Sequence, residues 1–314
     1  MRAMAIEEFG GRDKIREMDL DDPLVGPDGI LIRIASAGVN PVDYKTREGK
    51  QAERFPNFFP LILGWDAAGV VEEVGPAVTE LEPGDEVYAY ARKDFLRDGT
   101  YAEFVSVRPH HVAKKPLSLP LVEAGAVPLA GLTAWQLVHD ALAVGDGETV
   151  LVHAAAGGVG HLAAQIARAA GATVLGTASA RNHDFVRDLG VPDPIDYREE
   201  DVTTVVRERN PDGVDAVIDL VGGDTLKQSA AVLREGGRIA SVTALPSEQD
   251  FPSASSRRYV FVRPDPAQLS SLAAAIDSGD LRVHVQETLP LSEAARAHEL
   301  LEEGRTRGKV VLAV

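Results

Sequence analysis

Between Thr149 and Gly171 the 314-residue chain runs through an apolar strand, a turn of small residues and an amphipathic helix. This unit narrows the folds open to the chain more than any other segment. Thr149–His153 is β-branched and apolar, and Ala154-Ala155-Ala156-Gly157-Gly158-Val159-Gly160 follows it. Val159, Leu162, Ala163, Ile166, Ala167 and Ala170 then recur at i, i+3, i+4 spacing, and Gly171 ends the helix. Small residues at Ala154, Gly157, Gly158 and Gly160 have a physical use. They let the turn close tightly, let the backbone approach a pyrophosphate, and leave the N–H groups of the helix N-terminus open to it. Three glycines alone also fit a flexible loop. Their place after a strand and before a helix makes them a loose form of the dinucleotide fingerprint.

The end of the second strand selects the dinucleotide. A chain that holds NAD usually places Asp or Glu about 20 residues beyond the turn, on the ribose 2′-hydroxyl. Here Val174-Leu175-Gly176-Thr177-Ala178-Ser179-Ala180-Arg181-Asn182 has no carboxylate before Asp184. Ser179 and Arg181 put a hydroxyl and a guanidinium where a 2′-phosphate would lie. A solvated Arg181 with Asn182 capping the next helix is the plainer alternative. The missing acid and the added base together predict NADPH.

Composition removes several classes of function. With 32 basic and 48 acidic residues the net charge is −16, a field that repels nucleic-acid backbones. There is no cysteine, which excludes disulfides, thiolate nucleophiles, iron–sulfur ligation and thiolate zinc sites. Acids in Met1–Glu8 stand where a signal peptide needs an apolar stretch, and no apolar run is long enough to span a bilayer. The expectation is a cytoplasmic protein that binds neither nucleic acid nor membrane.

Two textures divide the chain. Up to about Pro120, short β-type runs at Ile30–Ile34, Gly69–Val74, Asp85–Tyr90 and Tyr101–Val107 are broken by Gly and Pro, as in a compact, mostly β domain. From Thr149 to Arg263, apolar runs at Thr149–His153, Thr173–Thr177, Pro194–Tyr197, Val214–Asp219, Arg238–Val242 and Arg258–Val262 alternate with helical segments. That alternation predicts a doubly wound parallel sheet with helices on both faces, an α/β domain. A helix should follow Asp265, and Gly308–Leu312 should close the chain as a strand.

Gly64-Trp65-Asp66-Ala67-Ala68-Gly69, continued by Gly75 and Val78, resembles the medium-chain dehydrogenase/reductase superfamily. Its zinc alcohol dehydrogenases carry Gly-His-Glu here; this chain has Trp65 for the histidine and Asp66 for the glutamate, so a zinc site like theirs is not expected. Trp65 is expected in the core, and His110-His111 as a surface pair. Gly38–Arg47, Gly99–Phe104, Gly131–Trp135 and Gly308–Leu312 are similar to signature segments of the zinc-free quinone oxidoreductase branch. The resemblance spans nearly the whole chain. It implies a GroES-like domain, residues 1–122 and 266–314, interrupted by a Rossmann NADPH-binding domain, residues 123–265, with the active site in the cleft between them.

The resemblance also implies roles. Asn40 and Thr133 lie by the nicotinamide, although Asn40 also suits a turn before Pro41. Tyr44 is either a hydrogen-bond donor to the acceptor oxygen or an aromatic wall. Asp43 is expected to cap the short helix after it. Tyr197 matches a position near the adenosine phosphate or is equally a strand-end aromatic, and Gly222-Gly223 with Val242 should line the nicotinamide end. Arg92–Asp98 is a candidate substrate rim. The expected activity is metal-free hydride transfer from NADPH to a quinone or enone by a homodimer paired along Arg257–Val262. An enoyl-thioester reductase and a dinucleotide-binding sensor are the alternatives.

Overall fold

The computed structural model describes residues 1–314. In chain order the strands and helices are β1 Arg2–Ile6, β2 Arg16–Asp19, β3 Ile30–Val39, α1 Pro41–Arg47, β4 Leu61–Ile62, β5 Asp66–Val74, β6 Glu86–Tyr90, β7 Phe104–Val107, β8 Val112–Lys114, α2 Leu121–Ala124 and α3 Pro128–Trp135. They continue as β9 Thr149–Val152, α4 Gly160–Ala169, β10 Thr173–Gly176, α5 His183–Asp188, α6 Val202–Arg209, β11 Val214–Asp219, α7 Gly223–Gln228, β12 Leu233–Ser241 and β13 Ser256–Tyr259. The chain closes with α8 Pro266–Asp277, β14 Val285–Pro290, α9 Ala294–Glu302 and β15 Lys309–Ala313.

The chain forms two compact units. The first holds residues 1–132, 264–279 and 283–314; the second holds 133–263 and 280–282. In the first, β3 is the spine of a sheet ordered β14-β15-β3-β5-β6-β8, with β7 also on β3 and a smaller β2-β1-β4 sheet beside it. β3 can serve as spine because Ile30, Ile32 and Ile34 alternate into a core with Ala67, Val71, Val87, Ala89, Val105 and Val107. The last strand, β15, pairs antiparallel to β3 from Val310 opposite Val39 to Ala313 opposite Ser36. Strands from the first forty residues and from the last six therefore share one sheet.

The second unit is the doubly wound sheet, all parallel, in the order β10-β9-β11-β12-β13. Apolar runs without alternation suit strands covered on both faces. Leu151, Val217, Val214, Ile239 and Leu175 meet Val206, Leu226 and Val232 in its core. After β9 the chain moves to β10 on one side and then returns to β11 on the other, so the switch in strand order falls between β9 and β11.

Two strand expectations need correction. Pro194–Tyr197 is not a strand; only Ile195 bridges to Thr177. Pro194 has no N–H to give, and the Asp196 N–H goes to the Glu200 carboxylate at 2.8 Å. The edge strand is Ser256–Tyr259 rather than Arg258–Val262, because its partner β12 ends at Ser241, opposite Tyr259. No helix is long and apolar enough to cross a membrane.

Candidate active site

In the second unit the functional elements converge at the carboxyl ends of β9 and β11, where ligands of open α/β sheets bind. Ala154 leaves β9 at φ 51°, and its N–H meets the Thr177 hydroxyl at 3.1 Å. The turn then closes so tightly that a Cβ on Gly160 would stand 2.1 Å from the Ala154 carbonyl oxygen. Gly160 opens α4, whose apolar face (Leu162, Ala163, Ile166, Ala167) is buried. Ala154, Gly157, Gly158 and Val159 remain partly exposed, so the backbone of the turn is open to a ligand.

At the end of β10, Ser179 is buried and Arg181 exposed. Tyr197 is 51 % exposed, with the Arg198 guanidinium 5.8 Å over its ring. Arg198 adds a second basic group to this rim, which the sequence reading missed. Asp196 also lies here, but its two oxygens accept the Ala180 and Arg198 N–H groups at 3.1 Å each, so it braces the turn. Asn182 stands at the N-cap of α5 without a capping side-chain bond; its amide reaches Ser179 Oγ at 3.4 Å.

Beyond β11, fully buried Asp219 organises the glycine loop. Its carboxylate accepts the Gly222 N–H at 2.9 Å, the Val221 N–H at 3.2 Å and the Ser241 hydroxyl at 2.6 Å. Gly222 and Gly223 have φ of 80° and 57°, a conformation glycine adopts freely. Val242 follows, half-buried, its N–H on the Asp219 carbonyl. Beneath the turn His153 is buried between Ser229 Oγ at 2.9 Å and Thr177 Oγ1 at 3.5 Å. Burial pulls its pKa down to about 4, so it is neutral and ties β9 to β10 and α7.

The first unit places its candidates in a buried polar network. Asn40 is 2 % exposed. Its Nδ2 donates to Asp66 at 2.9 Å, and its Oδ1 accepts from the ammonium of Lys309, which also donates to the Val39 carbonyl at 2.9 Å. The other Asp66 oxygen accepts the Leu129 N–H at 2.8 Å in the first turn of α3, the helix that carries buried Thr133 four residues on. Asp43 caps α1 from inside the helix, its carboxylate accepting the Asn40 N–H at 2.7 Å, while Asn40 is the N-cap residue before Pro41. From Asp43 the network continues to Tyr101 at 3.1 Å, from Tyr101 to His298 at 3.3 Å, and through Arg47 to Glu302 at 2.8 Å.

Burial sets the electrostatics. It pushes Asp43 up to about 7 and Asp66 up to about 6, and it lowers Lys309 against the pull of Asp66 and Asp43. His298 falls to about 3, chiefly by burial and secondly by Arg47. Lys309 was part of a recognised motif, but nothing assigned it a site; a lysine opening the apolar run Val310-Val311-Leu312 was the available signal.

Tyr44 is half-buried, with its pKa raised by burial. Trp65 lies in the core between Phe55 and Tyr90, at ring distances of 5.9 and 6.2 Å. The histidine pair differs from expectation. His111 is buried, stacked on His110 at 4.0 Å, and bonded to the Arg92 carbonyl at 2.9 Å. Nε2 needs that acceptor, which draws the ring inward.

Known proteins share this architecture. The model of an alcohol dehydrogenase GroES-like domain matches residues 26–117, and that of a zinc-binding dehydrogenase matches residues 189–312. An NADPH-dependent alkenal/one oxidoreductase, chloroplastic, of Arabidopsis thaliana is 35% identical over 99% of this chain and 79% of its own length. The quinone oxidoreductase from Coxiella burnetii has a TM-score of 0.90 at 37% identity, over 100% of this chain and 99% of its own. The Escherichia coli quinone oxidoreductase complexed with NADPH has a TM-score of 0.88 at 29% identity, over 100% of both chains. The zinc in the second family description does not fit these residues: the chain has no cysteine, Trp65 fills the ligand histidine's place, and no three His, Asp or Glu side chains meet in a metal-holding group.

Proposed function

Because the chain belongs to the quinone oxidoreductase branch of the medium-chain dehydrogenase/reductase superfamily, we propose that it is an NADPH-dependent oxidoreductase reducing quinones or α,β-unsaturated carbonyls without zinc. The observation that carries this is the turn after β9. It lies at the switch in strand order, with an open backbone and no free carboxylate at the end of β10. The Arabidopsis relative, NADPH-dependent by name, supports the same reading.

Ala154, Gly157, Gly158, Val159 and Gly160 hold the pyrophosphate against the N-terminus of α4. Ser179, Arg181 and Tyr197 receive the 2′-phosphate end, and Gly222 and Val242, set by Asp219, line the nicotinamide end. When bound, the reduced nicotinamide supplies the hydride. The protein supplies position and exclusion of water. Asp66 braces Asn40 directly and the first turn of α3 at Leu129. The first unit acts as the catalytic domain and the second as the NADPH domain. Two copies pair along the edge strand β13, which removes an open sheet edge.

Cofactor titration by fluorescence and NADPH oxidation with a panel of quinones and enones test this reading. NADPH should bind about tenfold more tightly than NADH, and Arg181→Glu should erase the difference, about 1.4 kcal/mol. Equal affinities in the unaltered protein would remove the 2′-phosphate assignment, and turnover of simple alcohols alone would remove the acceptor class.

A further inference from the structure

The turn after β9 ends on three backbone donors with no hydrogen-bond partner in the chain, the N–H groups of Gly158, Val159 and Gly160. His161, the second residue of α4, is 0% exposed. Its Nδ1 lies 2.9 Å from the Gly157 carbonyl oxygen, and its main-chain N–H reaches the same oxygen at 3.0 Å. A carbonyl only accepts, so Nδ1 carries the proton. The ring packs beside Phe185 of α5, with centroids 6.4 Å apart, and the His161 carbonyl accepts the Gln165 amide at 2.7 Å. Two donors from one well-anchored residue thus fix the direction of a single carbonyl.

That carbonyl belongs to the peptide between Gly157 and Gly158, the one peptide of the turn with no side chain on either flank. Nothing local resists its rotation. The peptide is trans, so its C=O and N–H point in opposite directions. A carbonyl held toward buried His161 sends the Gly158 N–H the other way, out of the partly exposed turn. Rotated by half a turn, the same peptide would offer an oxygen where an N–H now stands. An anion would then meet a partial negative charge instead of a donor.

We propose that His161 is a positioning residue for the dinucleotide: its Nδ1–H locks the Gly157 carbonyl inward and so fixes the Gly158 N–H toward the pyrophosphate. The proposal rests on the NADPH reading above and lies wholly within the second unit. His161 touches no ligand. It removes a rotation that binding would otherwise have to freeze, and a turn already set in its bound form binds more tightly. The gain concerns the pyrophosphate alone, which NADPH and NADH share. Ser179 and Arg181 act separately, on the 2′-phosphate.

The test is fluorescence titration of the wild type, His161→Leu and His161→Asn with NADPH and NADH, and displacement of NADPH by adenosine 2′-monophosphate. Leucine keeps the branched shape without a donor, and asparagine sets an amide nitrogen where Nδ1 stands. His161→Leu should weaken both dinucleotides about tenfold, or about 1.4 kcal/mol, the scale of one hydrogen bond, and leave their ratio unchanged. His161→Asn should recover most of that loss. Adenosine 2′-monophosphate has no pyrophosphate and should show one affinity for all three proteins. Wild-type affinity in His161→Leu, an asparagine variant as weak as leucine, a changed ratio, or a parallel loss for adenosine 2′-monophosphate would overturn the role of His161. If His161→Leu does not fold, His161→Gln takes its place. Its amide reaches one bond further and should not restore binding, so a glutamine variant as tight as asparagine would overturn the role too. A wild type that binds neither dinucleotide overturns the NADPH reading itself.

Discussion

The two units build their sites from different materials. In the second unit the candidate ligand surface is mostly main chain, the turn from Ala154 to Gly160 and the loop at Gly222-Gly223, shaped by small residues close in sequence. In the first unit the site is a network of side chains drawn from distant segments. Lys309 and Asn40 are 269 positions apart, and Arg47 and Glu302 are 255 apart. A main-chain site depends on local conformation and is damaged by added atoms. A side-chain site depends on tertiary assembly and is damaged by lost partners.

That contrast gives its largest expected effect at Gly160. Gly160→Val places a branched side chain where a Cβ already stands 2.1 Å from a backbone oxygen, so NADPH binding should become undetectable by fluorescence titration while the first unit keeps its fold. A valine variant that binds normally would mean the turn is not the pyrophosphate site. Next in size is Lys309→Met, which fits sterically but leaves Asp66 and Asn40 without their cation. Removing one partner of a buried ionic group costs about 3–5 kcal/mol, read as a shift in urea denaturation. A negligible shift would show that the first unit does not rest on its network.

The smallest effect follows from His298, whose folded pKa of about 3 lies below its ordinary value. Between pH 6.5 and 3 the folded state binds fewer protons than the unfolded, so the contribution of the neutral imidazole is complete above pH 6.5 and is lost as pH falls. The stability gap between wild type and His298→Gln should therefore narrow by about 2 kcal/mol between pH 7 and pH 5. A gap independent of pH would mean that the His298 pKa is the same in the folded and unfolded chain.

The same contrast explains what could be read from sequence. The strand–turn–helix at Thr149–Gly171 was legible because glycine spacing and helical periodicity are local properties, and the structure places β9 and α4 there. Trp65 was legible as core because nothing polar was needed to hold it. Asp219 and His153 were missed, since each acts by hydrogen bonds to residues on other crossovers. Pro194–Tyr197 was misread because its apolar texture hid a proline and a side-chain-bound N–H. Asp66 was compared only with a glutamate of zinc relatives, and its bonds to Asn40 and Leu129 are invisible without the fold.

The late position of β15 has a consequence during synthesis. Residues 133–263 of the second unit are all made before Lys309. At typical translation speeds the 269 residues from Asn40 to Lys309 take on the order of 15–50 s. For that interval β3 of the nascent chain lacks its β15 neighbour, and Asp66 and Asn40 wait without their ammonium. The second unit is complete in sequence before β15 is made. The first unit is finished only when β15 arrives beside β3.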